Sequence, residues 1–93
     1  MWRVQIKRKL LRDVESLPLN VQLKFAALKK DLELTGPVQV SWQNYSKLGE
    51  NKHHCHLTHH YVACWLVVSE MEMVLEVYYV GNGTVEPLFD GSA

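Results

Sequence analysis

One short stretch of this chain carries all five of its histidines: Lys52–His60, KHHCHLTHH. Imidazole and thiol side chains at this density admit three kinds of chemistry. They can ligate zinc or copper. Cys55 and Cys64 can exchange electrons as a thiol pair. Two imidazoles held side by side can divide the work of proton acceptor and proton donor, because an unperturbed histidine titrates close to neutral pH. Which of these is open depends on how the backbone presents the side chains.

An extended backbone sends successive side chains to opposite faces. On that geometry His54 and His56 project together, while His53 and Cys55 project the other way. Metal ligation then lacks a converging set. There is no CxxC, no HxxxH on a helix and no second ligand cluster elsewhere, so no metal site and no cofactor is expected. The thiols are expected to lie in the core as free cysteines, since an intracellular compartment keeps thiols reduced. Acid–base work by His54 and His56 remains. Trp65 and Tyr78 are the aromatic platforms expected beside them for unpaired bases, with Lys47 and Lys52 just upstream to hold phosphate. The plainer alternative is an ordinary solvent-facing sheet surface.

The elements around this stretch follow from periodicity. Met1–Ile6 alternates as a short strand with Trp2, Val4 and Ile6 on one side. KRKLLRDVESLP repeats apolar residues at helical spacing (Leu10, Leu11, Val14, Leu17) until Pro18. LNVQLKFAALKKDLELTGP repeats the pattern, with Asn20 as N-cap, a stripe of Val21, Phe25, Leu28 and Leu32, and Gly36-Pro37 as the stop. Two helices joined at Pro18 are expected, each apolar on one side and basic on the other. Residues 38–49 read as a short extended piece followed by a loop.

From Lys52 the period becomes two. Two-residue turns at His59-His60 and Glu70-Met71 would set Cys55 opposite Cys64, His54 opposite Trp65, Leu66 opposite Leu75 and Cys64 opposite Val77. One face would then carry Cys55, Leu57, Val62, Cys64, Leu66, Val68, Met73, Leu75, Val77 and Tyr79, sealed under the helices. The other would carry His54, His56, Ala63, Trp65, Val67, Val74, Glu76 and Tyr78. The expected architecture is α+β, β-α-α-β-β-β, with two N-terminal helices on one face of a small antiparallel sheet and the first strand joining the meander's edge. Residues 1–83 form the expected single domain, and residues 84–93 a loose tail.

Composition bounds the function. Ninety-three residues suit one core, and a 47% hydrophobic, 22% charged chain is globular. No apolar run reaches the roughly 20 residues of a membrane helix, and no signal-peptide pattern opens the chain, so a cytoplasmic setting is the default expectation. Formal net charge is zero, but all ten Lys and Arg fall within residues 1–52. A chain that grips nucleic acid by neutralising phosphates usually shows a clear basic excess. The second half of this one shows none.

The strings NYSKLGENKHHCHL, YVACWLV and EVYYVG resemble the C-terminal half of bacterial RelE/ParE-type toxins, in which a KL segment leads into a hairpin that ends in a V-G motif. The first half fits the same layout. This resemblance implies two helices on one sheet face and an RNA-binding opposite face. It implies a toxin of a type II toxin–antitoxin system that inhibits translation as a ribosome-dependent, metal-independent endoribonuclease on messenger RNA. A cognate antitoxin is the implied protein partner, in a hetero-oligomer or beside a homodimer. The family's two alternating basic residues on the first hairpin strand fall on His54 and His56. Its arginine early in the next strand falls on Val62, the arginine after the V-G motif on Gly83, and the C-terminal tyrosine near Leu88 or Phe89. The alternative implied by those departures is a ParE-like toxin or degenerate homologue that works by protein contact, on gyrase or on its antitoxin alone.

Overall fold

A computed structural model of the chain describes residues 1–83; the expected tail, with Leu88 and Phe89, lies outside the described residues. The elements are β1 (Arg3–Ile6), α1 (Arg8–Glu15), α2 (Leu19–Thr35), β2 (Ser46–Lys47), β3 (Lys52–His56), β4 (Tyr61–Ser69) and β5 (Val74–Asn82). They form one five-stranded sheet in the order β1-β5-β4-β3-β2. The helices cover one face of it. Their buried Leu10, Val14, Val21, Phe25, Leu28 and Leu32 share a core cluster with Cys55, Ala63, Trp65, Leu75, Val77 and Val80 from the strands.

β1 does join the meander's edge, but it runs parallel to β5, with Val4 beside Leu75 and Ile6 beside Val77. The sheet is therefore mixed and not wholly antiparallel. β2 is a further strand that the ambiguous 38–49 segment did not reveal. It pairs Ser46 with His54 and Lys47 with His53.

The helix boundaries match their signals, with one adjustment. Helix α2 starts at Leu19, the cap position is Pro18, and no side chain caps it. Asn20 thus sits in the first turn and not at the N-cap. At the other end Gly36 adopts φ 89°, and a Cβ there would lie 2.7 Å from Trp2 Nε1. Buried Gln39 satisfies the last turn by donating to the carbonyls of Asp31 and Gly36. Helix α1 buries Leu10 and Val14 and turns Arg8, Lys9 and Arg12 outward, but Leu11 of the expected apolar stripe is exposed as well. Helix α2 departs from that expectation, because Leu19, Leu23 and Leu34 are exposed opposite its buried stripe.

The first hairpin corrects the expected register. The Leu57 amide donates to Tyr61 O, so the loop has three residues, Thr58-His59-His60, and not two. One extra loop residue slips the pairing by one: His53 opposes Trp65, His54 opposes Cys64, Cys55 opposes Ala63 and His56 opposes Val62. A one-residue slip exchanges the faces of a strand. Ala63 and Trp65 therefore turn to the helices, and Val62, Cys64 and Leu66 turn away. The energetic reason is Trp65, which is fully buried while its Nε1–H donates to Pro37 O at 2.9 Å. Burying an indole removes about 150–250 Å² from water, worth roughly 4–6 kcal/mol as an upper bound. A thiol or a leucine in its place gains less.

The second hairpin also has a longer loop, Glu70–Met73, closed by Met73 N–H to Glu70 O, with Met73 at φ 58°. The register changes between Cys64 and Trp65, where Val77 opposes Trp65 but Tyr79 opposes Cys64. This bulge turns Tyr79 away from the helical side, against expectation.

Candidate functional site

Strand β3 hands its imidazoles to two different environments. His53 is only 3% exposed and lies on the helix side. Its ring stacks on Trp65 at 5.9 Å with 3° between planes, and on Tyr45 at 5.9 Å. Tyr45 Oη and His53 Nδ1 are 2.7 Å apart. Burial, and then the nearby Lys47 charge, hold the His53 pKa below its ordinary value. This ring is a core residue that stays neutral.

His54 and His56 stand half-buried on the opposite face, their ring centres 6.0 Å apart and tilted by 57°. Ser46 Oγ of β2 lies 3.0 Å from His54 Nδ1. Burial lowers the His54 pKa, the charge of His56 lowers it further, and a hydrogen bond to the Ser46 backbone pulls the other way. A neutral His54 whose Nδ1–H is donated to Ser46 keeps the Nε2 lone pair for a proton or a metal ion. Ser46 was not foreseen; its only trace in the sequence is a hydroxyl eight residues before His54.

The remaining expected site residues divide. Lys52 shares the face of His54, and its Nζ lies 5.9 Å from the centre of the Tyr78 ring. Tyr78 thus stands beside Lys52 on that face, as expected. Lys47 is exposed but is the register partner of His53, so it points to the helix side of the outermost strand, away from the two open-face imidazoles. Trp65 does not reach the open face at all. The slipped register buries it, so it cannot stack bases as expected. Cys55 and Cys64 are both buried and neither forms a disulfide; they face opposite sides of the sheet and are not cross-strand partners. Burial pushes the Cys55 thiol up to about 12, which makes it a poor nucleophile.

His59 and His60 meet edge to face at 4.6 Å at the hairpin tip. Among the described residues, no group of three or more His, Cys, Asp or Glu side chains is placed to share a metal ion. A cleft of about 360 Å³ between α1 and β5 is lined in part by Lys7, Asp13, Tyr78 and Tyr79. It has no imidazole on its wall and is separate from the histidine pair. Val62, opposite His56, is fully buried, and the amide of Gly83 donates to His60 O. Neither supplies positive charge. Among the described residues no helix is long and apolar enough to cross a membrane.

No family model matches the sequence, and no curated protein aligns with it. Solved structures do match. A chain of the archaeal RelE–RelB complex from Pyrococcus horikoshii superposes with a TM-score of 0.70 at 15% identity, over 87% of this chain and 93% of that one. The chain has a RelE-like fold. A chain of the YoeB–YefM complex from Staphylococcus aureus agrees, with a TM-score of 0.66 at 10% identity over 87% of this chain and 95% of that one. The shared RelE-like architecture is the pair of helices against the five-stranded mixed sheet.

Proposed function

We propose that this chain is the toxin half of a toxin–antitoxin pair and acts as an endoribonuclease on messenger RNA at the ribosome. The observation that carries the proposal is the His54–His56 pair on the sheet face opposite the helices, oriented by Ser46. The RelE-like fold supports it, as does the pairing of each similar structure with a second protein, RelB or YefM. The partner proposed for this chain is likewise a cognate antitoxin that covers the open face.

In the proposed reaction the RNA 2′-oxygen attacks the adjacent phosphorus and the bond from phosphorus to the 5′-oxygen breaks. The products end in a 2′,3′-cyclic phosphate and a 5′-hydroxyl. His54 Nε2 takes the 2′-hydroxyl proton, and His56 delivers a proton to the departing 5′-oxygen. The lowered His54 pKa supports its role as base, because it is neutral near pH 7. Lys52 neutralises phosphate and Tyr78 stacks a base; Lys47 contributes charge only from the strand's far side. No residue on this list needs a cofactor.

Inducing the chain in bacterial cells should arrest growth and leave messages with 5′-hydroxyl ends. The His54→Ala, His56→Ala double variant should do neither, since positioned acid–base pairs contribute about 10²–10⁴-fold per group. If the double variant arrests growth as strongly as the parent, the site is wrong.

A second reading has its own observation. Residues 53–93 hold no Lys or Arg, and buried Val62 stands where the resembling family carries an arginine. Fixed positive charge on the transferring phosphate is often worth a few kcal/mol of barrier. A toxin that works by protein contact needs no such charge. Growth arrest with intact messages would select this reading.

A further inference from the structure

We propose that His54 and His56 together form a binding site for one divalent transition-metal ion, such as zinc or copper, which blocks the pair when bound. The site rests on the geometry of the same two rings as the proposed function, but the binding itself does not depend on RNA cleavage.

Four observations lead to it. The two rings leave the same strand at positions i and i+2 and share one face. Their centres are 6.0 Å apart. Two imidazoles on one tetrahedral zinc, with bonds of about 2.0–2.1 Å, have ring centres roughly 5–6 Å apart, so a small rotation about either ring bond suffices. Ser46 Oγ lies 3.0 Å from His54 Nδ1, so that nitrogen has an outer partner and Nε2 is left as the one to face an ion. Finally, both rings are only half-buried and lie on the face away from the sealed core that holds His53.

The chemistry is consistent with the environment. Two imidazoliums held this close repel each other. A dication removes that conflict by using both lone pairs while the rings stay neutral. Among the described residues no third His, Cys, Asp or Glu joins the pair. Water would fill the remaining positions, so the ion exchanges readily and the site is one of regulation and not of structure. Occupancy ties up the Nε2 lone pair that the proposed base requires. Zinc is therefore an inhibitor here, not a cofactor.

The test is calorimetric titration of the untagged full chain with zinc chloride at pH 7.5, repeated with His54→Ala, His56→Ala, Ser46→Ala and the His59→Ala, His60→Ala double variant. One saturable equivalent should bind the parent and the hairpin-tip variant alike. Either site variant should abolish saturable binding, and Ser46→Ala should weaken it by about tenfold, at the low end for an outer partner. Paramagnetic broadening by Cu²⁺ should fall first on the His54 and His56 ring resonances of the unaltered protein, a readout that does not depend on any variant folding. Absence of saturable binding, or binding that survives both site variants and vanishes with His59 and His60, overturns the proposal. Loss of zinc binding in the site variants while RNA remains uncut would sustain the metal site and sink only the nuclease reading.

Discussion

The two faces of the sheet use the same residue type for opposite ends. On the helix side, His53 clusters with Tyr45 and Trp65, is almost fully buried and has its Nδ1 matched to a phenol. On the other side, His54 and His56 keep solvent access and lean on a single hydroxyl. One residue along the strand separates the two environments. Histidine density therefore says little until the register is known: alternation makes one imidazole a packing element and its neighbours available to chemistry.

Trp65→Ala should give the largest effect, because it empties the centre of the helix side. A cost of about 3–5 kcal/mol is expected, read as a shift in the denaturant midpoint. A change below about 1 kcal/mol would mean that the indole is not core, and the comparison of faces would fail.

His53→Phe probes the same side through pH. The folded state holds His53 below its ordinary pKa, so the unfolded chain takes up a proton more readily. Stability is full above the unfolded value of about 6.5 and is lost as pH falls through the lower folded value. Replacing the ring with phenyl should flatten that decline below about pH 6.5, at a neutral-pH cost of about 1–3 kcal/mol for the Tyr45 hydroxyl left without its partner. An equally steep decline in the variant would show that His53 does not titrate as described.

The open face should respond in the reverse way. His54→Ala and His56→Ala should each change stability by about 1 kcal/mol or less in thermal unfolding, although both are expected to abolish activity. The smallest effect belongs to Ser46→Ala. It should leave the fold intact and shift the His54 ring away from the form protonated at Nδ1, seen in its ring ¹⁵N shifts. An unchanged tautomer balance would remove Ser46 from the site.

Much of this arrangement was legible in the sequence. The helical spacing of Leu10 and Val14, then of Val21 to Leu32, marked both helices, and Gly36-Pro37 marked where the second ends. The period-two stretch after Lys52 gave the meander and put His54 and His56 on the face away from the helices. The strand that opposes them differs from the expected one because neither loop is the two-residue turn that its local residues suggest. Residues 62–67 are apolar on both alternating sets, so hydrophobic pattern could not detect the slip; only the size of Trp65 favoured its burial. β2 escaped notice because two residues carry no period. Parallel pairing of β1 with β5 depends on where the helices return the chain, which local pattern does not encode.

The most direct measurement is cleavage of messenger RNA on programmed ribosomes by the purified chain, with the His54→Ala, His56→Ala variant confirmed to be folded by its unfolding curve. The parent should cut without added metal and leave 5′-hydroxyl ends, and the folded variant should lose at least about 100-fold of that rate. Cutting by the folded variant at the parent's rate would contradict the proposed roles of the two histidines.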